Sequence, residues 1–190
     1  MLFRSEFALT ATGSAHRGAR HEQDPHGVTL VVVVRRSYND AVKALVTGAA
    51  GFVGSTLADS LLGDGWGVRG VDSFSSYYDP ELKRANLSSA SRDQRFELVV
   101  ADLVSADLDD LLDGIDVVFH QAGQPGVRMS WADDFRVYAD ANIVATQRLL
   151  EATTRRSGTR LVYASSSSVY GNATVAPTHE SHPTRPFSPY

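Results

Sequence analysis

Lys43-Ala-Leu-Val-Thr-Gly48-Ala-Ala-Gly51-Phe-Val-Gly54 joins a five-residue apolar strand to the start of a helical segment through three glycines at three-residue spacing. Each glycine has its own task. Gly48 makes the tight turn, Gly51 lets the backbone approach a pyrophosphate, and Gly54 with Ala58 lets helix and sheet pack closely. Free N–H groups at the helix start then face the phosphate charge. A purely structural turn is the alternative, and the strand-to-helix context favours the phosphate reading.

Outward from this turn the chain alternates strand and helix. Phe52–Leu62 reads as a helix with Val53, Leu57 and Leu61 at four-residue spacing on one face. Gly67–Val71 is a strand ending in Asp72, and a helix follows near Pro80–Ser88. Phe96–Ala101 is a strand ending in Asp102, Asp107–Leu112 a short helix or turn, and Ile115–His120 a fourth strand. Residues 133–157 form the longest helical segment, with Ala141, Ala145, Leu149 and Ala152 near one face, before a fifth strand at Thr159–Ala164. Such alternation predicts an α/β fold with a doubly wound parallel sheet of Rossmann type.

Asp72 stands 24 residues after Gly48, at a strand end. A carboxylate there accepts hydrogen bonds from both adenosine ribose hydroxyls and repels a 2′-phosphate, which favours NAD over NADP. Asp102 has two readings of equal weight, a partner for the adenine amino group or a cap for the turn before Val104. His120, at the end of a buried strand, reads as a packed, hydrogen-bonded residue.

Composition narrows the class. With 18 basic and 22 acidic residues the net charge is −4, which offers no basic face for nucleic acid. Cysteine is absent, so disulfides, a thiolate nucleophile and cysteine-held metals are excluded, and a cytoplasmic setting fits. No second histidine or carboxylate cluster stands at ligand spacing around His120, so no metal is expected. The apolar run Val28–Val34 is too short to span a bilayer, and residues 1–27 lack a signal-peptide pattern, so no membrane element is expected. Residues 1–41 lack amphipathic periodicity and read as a disordered or non-native extension, with an added strand at Val28–Val34 as the alternative. Val42 directly precedes the first strand and reads as a natural start. The domain is thus expected over 42–190.

The glycine loop, Val71-Asp72-Ser-Phe-Ser-Ser-Tyr-Tyr-Asp-Pro80, His120-Gln-Ala-Gly-Gln-Pro-Gly-Val-Arg128 and Ala164-Ser-Ser-Ser-Ser-Val-Tyr-Gly171 together resemble the extended short-chain dehydrogenase/reductase family. Within it the chain is most similar to NAD-dependent nucleotide-sugar epimerases, the UDP-glucuronate and UDP-glucose 4-epimerases. The resemblance covers 42–190. It implies a cofactor-binding set of Gly48, Gly51, Phe52, Val53, Gly54, Asp72, Asp102, Leu103, Gln121, Ala122 and Gly123. It also implies that Gln124, Arg128 and Ser166 contact a UDP-sugar, that Asn142 bonds across to the strand ends, and that the Tyr77-Tyr78-Asp79-Pro80 loop lies near the adenosine end. A surface salt bridge is the alternative for Arg128, and a solvent-facing position the alternative for Asn142.

By the same resemblance Ser166 orients the sugar hydroxyl and Tyr190 is the catalytic base, with Tyr170 as a rival that more plainly packs. The lysine of the family's Tyr-x-x-x-Lys motif falls at position 194, past Tyr190. A phenol with a reference pKa near 10 needs nearby positive charge to act as a base at neutral pH. The chain is therefore expected to be an N-terminal part of an epimerase, cut before the final strands and substrate domain and inactive alone. Ser167-Ser168 stand where related 4,6-dehydratases carry an Asp-Glu pair and decarboxylases a glutamate, which leaves epimerisation as the favoured reaction. A non-catalytic NAD-binding protein and a nucleotide-sugar reductase or dehydratase of the same family are the alternatives. Trp131 and Phe135 read either as core anchors or as part of a helix–helix surface in a homodimer.

Overall fold

The computed structural model describes residues 41–131 and 135–190. The reading of residues 1–40, including the Val28–Val34 strand, lies outside them. Five parallel strands form one sheet, β1 (Lys43–Thr47), β2 (Gly67–Asp72), β3 (Phe96–Val100), β4 (Val117–His120) and β5 (Arg160–Tyr163), in the spatial order β3-β2-β1-β4-β5. The order reverses at β1, so the crevice above the carboxyl ends of β1 and β4 is where this architecture binds ligands.

The central strands are apolar because helices cover both faces. Side chains alternate along a strand, and in a parallel pair register partners share a face. Leu45 and Val118, partners in the β1–β4 pairing, join Val71, Leu108, Leu111, Leu112, Ile115 and Leu149 in one core cluster. Phe119 points the other way and meets Trp66 with ring centroids 6.4 Å apart.

Helix α1 (Phe52–Gly63) follows the glycine turn and buries Gly54, Ser55, Ala58, Leu61 and Leu62. Along the face of Val53, Leu57 and Leu61 burial is graded: Val53 is exposed, Leu57 half-buried and Leu61 buried. Close approach to the sheet selects the smallest residues, so the buried stripe runs through Gly54 and Ala58 rather than through valine.

Helix α2 (Pro80–Asn86) begins where Asp79 accepts the Glu81 N–H at 2.9 Å and Pro80 supplies a pre-set φ at the first turn. Asp107 caps the short α3 (Leu108–Leu111) through the N–H groups of Asp109 and Asp110. The long segment, α4, runs as Phe135–Tyr138, a π-helical stretch Ala139–Val144, and Ala145–Thr154. Its inner face carries Ala145, Leu149 and Ala152 as expected, while Ala141 is only half-buried. Trp131 and Phe135 are 60% and 38% exposed, which removes the core-anchor reading. Among the described residues no helix is long and apolar enough to cross a membrane.

Residues 41–166 and 188–190 form one compact unit, and residues 167–187 belong to a second. Within the second, a 3-10 turn spans Ser167–Tyr170 and leads into Gly171, which donates its N–H to Ser168.

Leu149 is fully buried in the core cluster while its neighbour Leu150 is 44% exposed. Leu149→Ala is expected to cost roughly 3 kcal/mol, lowering Tm by about 10 °C. Leu150→Ala should change stability by no more than about 0.5 kcal/mol. Thermal melts of the two variants check the difference.

Candidate cofactor and substrate site

Gly48 has φ +65°, and a Cβ there would lie 2.9 Å from both N and Cα of Ala122. A Cβ on Gly54 would lie 2.1 Å from the Gly48 carbonyl oxygen, inside any tolerable contact. These two glycines are therefore required by the backbone itself. The turn closes with the Gly51 N–H donating to Gly48 O at 2.9 Å, and α1 starts with the Ser55 N–H donating to Gly51 O at 2.9 Å.

Around this turn opens a cavity of about 780 Å³. Its lining brings together Gly48, Gly51, Phe52, Val53 and Gly54 with Asp72, Asp102, Leu103, Gln121, Ala122, Gly123 and Gln124. Every residue in the expected cofactor set thus borders one space. The volume falls in the range of ordinary ligand sites. A backbone cradle that a single Cβ would fill, set at a helix start, suits a pyrophosphate-bearing dinucleotide.

Asp72 is buried, and its carboxylate is heavily engaged. It accepts the Ala50 N–H at 3.1 Å, the Phe74 N–H at 2.8 Å and the Lys83 ammonium at 3.1 Å. A carboxylate offers about four acceptor positions, so about one is uncommitted. The turn and α2 thus use most of the acceptor capacity that the expected bonds to both ribose hydroxyls draw on.

Lys83 is 6% exposed, lines the cavity, and lies 5.2 Å from the Tyr78 ring centroid. Sequence reasoning passed over it, although it stands one helical turn before the buried Leu87. Tyr78 and Asn86 also border the cavity and donate to the Ala50 carbonyl, at 3.4 and 2.9 Å. Burial and the nearby Asp72 charge push the Tyr78 phenol above its usual range. Asp102 caps the turn through the Val104 N–H at 2.9 Å while also lining the cavity, so its two readings are compatible.

On the other side, Asn142 holds Gln124 twice, accepting its N–H at 2.6 Å and donating to its carbonyl at 3.1 Å. The solvent-facing reading of Asn142 is thereby excluded. Tyr138 donates to the Gly126 carbonyl at 2.6 Å, and its ring meets that of Tyr190 edge to face with centroids 6.0 Å apart. Tyr190 thus approaches the Gln124–Gly126 loop through Tyr138. Ser166 is half-buried just beyond β5, and Tyr170 is buried within the 167–187 unit. Arg128 is exposed in a 3-10 turn, Arg128–Trp131.

His120 is 3% exposed, between the Thr47 hydroxyl at 2.7 Å and the Thr146 hydroxyl at 2.8 Å. Burial lowers its pKa from the ordinary histidine value.

A model of the NAD dependent epimerase/dehydratase family matches residues 44–190. An uncharacterised UDP-glucose epimerase, YtcB, of Bacillus subtilis is 46% identical over 150 residues, covering 78% of this chain and 47% of the relative. The UDP-glucose 4-epimerase of Mycolicibacterium smegmatis is 48% identical over 153 residues, with the same coverages of 78% and 47%. The crystal structure of UDP-glucuronic acid 4-epimerase from Bacillus cereus, in complex with UDP-glucuronic acid and NAD, superposes with a TM-score of 0.74 at 42% identity, covering 78% of this chain and 47% of that one. The chain spans about half the length of the curated relatives it matches.

Two outcomes follow from this geometry. Gly54→Ala is expected to cost about 1–3 kcal/mol through overpacking against Gly48 O and to abolish dinucleotide binding, read by calorimetric titration and a thermal melt. For His120 the folded pKa lies below the unfolded value, so the unfolded state binds more protons once pH falls below about 6.5. Its contribution to stability is complete above that pH and is lost as pH falls. Denaturant unfolding at pH 7.5 and 5.5 should show the wild type losing more stability than His120→Asn.

Proposed function

The chain belongs to the NAD dependent epimerase/dehydratase family, and on that premise we propose that it forms the cofactor-binding half of a nucleotide-sugar 4-epimerase acting on UDP-glucuronate or UDP-glucose. The observation that carries this reading is the cavity itself. The Gly48–Gly54 cradle, the Asp72 carboxylate and the Gln121–Gln124 loop border one space of dinucleotide size. NAD, when bound, supplies a reversible hydride acceptor for the sugar C4.

The chain's own residues supply a part of the remaining chemistry. The N–H groups at the start of α1 meet the pyrophosphate, and Asp72 accepts from the adenosine ribose. Ser166 orients the C4 hydroxyl by hydrogen bonding, and the Tyr190 phenolate oxygen takes its proton. Once the hydride has returned from bound NAD to the opposite face of the 4-keto sugar, Tyr190 gives the proton back to the C4 oxygen, which inverts C4. Ser167-Ser168 favour this over elimination, since a hydroxyl is a poor exchanger of protons beside a carboxyl group. Arg128, which is exposed, suits a substrate phosphate or carboxylate. The exposed apolar side chains of Trp131, Phe135 and Val137 support pairing of two copies along this stretch.

The reading frame that carries this sequence, expressed in full, is expected to interconvert one UDP-sugar with its C4 epimer in the presence of NAD, followed by chromatography of the products. Tyr190→Phe should lower turnover by at least about 100-fold while leaving NAD affinity within about threefold. Bound NAD without sugar conversion would instead mark a binding module, and release of a 4-keto sugar with NADH would mark a reductase.

A further inference from the structure

Thr47 ends β1 and His120 ends β4, and the two are register partners in the parallel pairing. Their side chains therefore share a face, the one that carries Leu45, Val118 and the inner residues of α4. The Thr47 hydroxyl oxygen accepts the N–H of Gln121 at 3.1 Å and the N–H of Ala122 at 3.0 Å. A hydroxyl has two acceptor lone pairs and one proton. Both lone pairs are used, so the proton goes to the remaining neighbour, His120 Nδ1, at 2.7 Å. An Nδ1 that accepts carries no proton, and a neutral ring then bears it on Nε2, which faces the Thr146 hydroxyl at 2.8 Å. The hydrogen-bond count fixes the tautomer without appeal to the titration of the ring.

We propose that His120 is a positioning residue, held as the Nε2–H tautomer between Thr146 and Thr47, which sets the distance between the glycine turn and the Gln121–Gln124 loop across the cofactor cavity. Thr47 directly precedes Gly48, and Ala122 N lies where a Cβ on Gly48 would be only 2.9 Å away. A small displacement of Ala122 therefore changes the width of the cavity at the turn. His120 acts through Thr47: it orients the hydroxyl so that both lone pairs face the loop. If the Thr47 proton turned toward the loop, one of the two N–H groups would lose its acceptor, at the cost of an unsatisfied buried donor. Thr146 carries the same register to α4, one turn after Asn142, which holds Gln124 at the loop's other end. The functional meaning rests on the cofactor reading above, whereas the tautomer and the loop geometry do not.

The test uses the 190-residue chain, labelled with 15N, as wild type, His120→Phe, His120→Asn, Thr47→Val and Thr47→Val/His120→Phe. Long-range proton–nitrogen spectra at pH 7 should show Nδ1 of His120 unprotonated and Nε2 protonated. An Nδ1–H tautomer or an imidazolium overturns the proposal. Exchange of the Gln121 and Ala122 amides should quicken by about tenfold or more in His120→Phe. It should return to near the wild-type rate in His120→Asn, whose side-chain oxygen accepts the Thr47 proton. In the Thr47→Val background, His120→Phe should add nothing to the exchange rates. Additive effects would overturn action through Thr47. NAD affinity should follow the same order, weakened about tenfold in His120→Phe and within about threefold of wild type in His120→Asn. If the protein expressed from the full reading frame binds no NAD, the cofactor reading fails, while the spectra and exchange rates still decide the positioning role.

Discussion

The Gly48 carbonyl oxygen sits so close to Gly54 that no side chain fits between them, and most of the site's geometry descends from that contact. It forces α1 to begin directly against the turn, which makes the end of β1, the turn and the helix start a single rigid piece. That piece is tied on one side to β2, where the Ala49 N–H donates to Val71 O at 3.2 Å and the Ala50 N–H to Asp72 at 3.1 Å. On the other side it abuts Ala122, just after β4. Because β1 lies at the point where the strand order reverses, one turn sets the position of both walls of the cavity.

Parallel strands end with backbone groups that the ladder no longer pairs, and buried backbone groups need partners. Here side chains from neighbouring elements supply them. Thr47 of β1 accepts from the loop after β4, Asp72 of β2 accepts from the glycine turn, and Asn142 of α4 both accepts from and donates to Gln124. Each loop is thereby anchored from outside its own segment. The first-turn N–H groups of α1, at Phe52 and Val53, have no acceptor within the helix, which suits this end for an anionic ligand.

The strand and helix order was legible because glycine spacing and apolar periodicity are local. The turn at Gly48, the ends of β1 and β2, and the clustering of Asp72, Asp102 and Gln121 about one space follow from a motif and a fold rule. What escaped depends on contacts between distant segments. Val53 shares a spacing with the buried Leu61, yet it is exposed, because the face that meets the sheet is the one carrying Gly54 and Ala58. The π-helical stretch that places Asn142 has no signature in residue type. Lys83 carries no signal in the sequence, since nothing near it announces that its ammonium reaches the end of β2, 11 residues away. Trp131 and Phe135 left core and helix–helix surface open as readings, because their spacing does not say which side of a helix faces the sheet.

Lys83 also alters what Asp72 means. A carboxylate at the end of β2 suggests exclusion of a 2′-phosphate by charge, an argument that treats the charge as isolated. With an ammonium 3.1 Å away and both side chains more than 90% buried, the pair is close to neutral when viewed from a few ångströms beyond it. The field that a ligand meets is then much weaker than a lone carboxylate would give. What remains is directional: a carboxylate whose Oδ1 takes the Phe74 N–H and the Lys83 ammonium and whose Oδ2 takes the Ala50 N–H, which leaves about one acceptor position on Oδ2. A ribose hydroxyl can donate to such an oxygen, and a phosphate oxygen, having no proton to give at neutral pH, cannot. In the proposed site the preference for NAD therefore rests on hydrogen-bond polarity more than on repulsion, and Lys83 is what converts the one into the other.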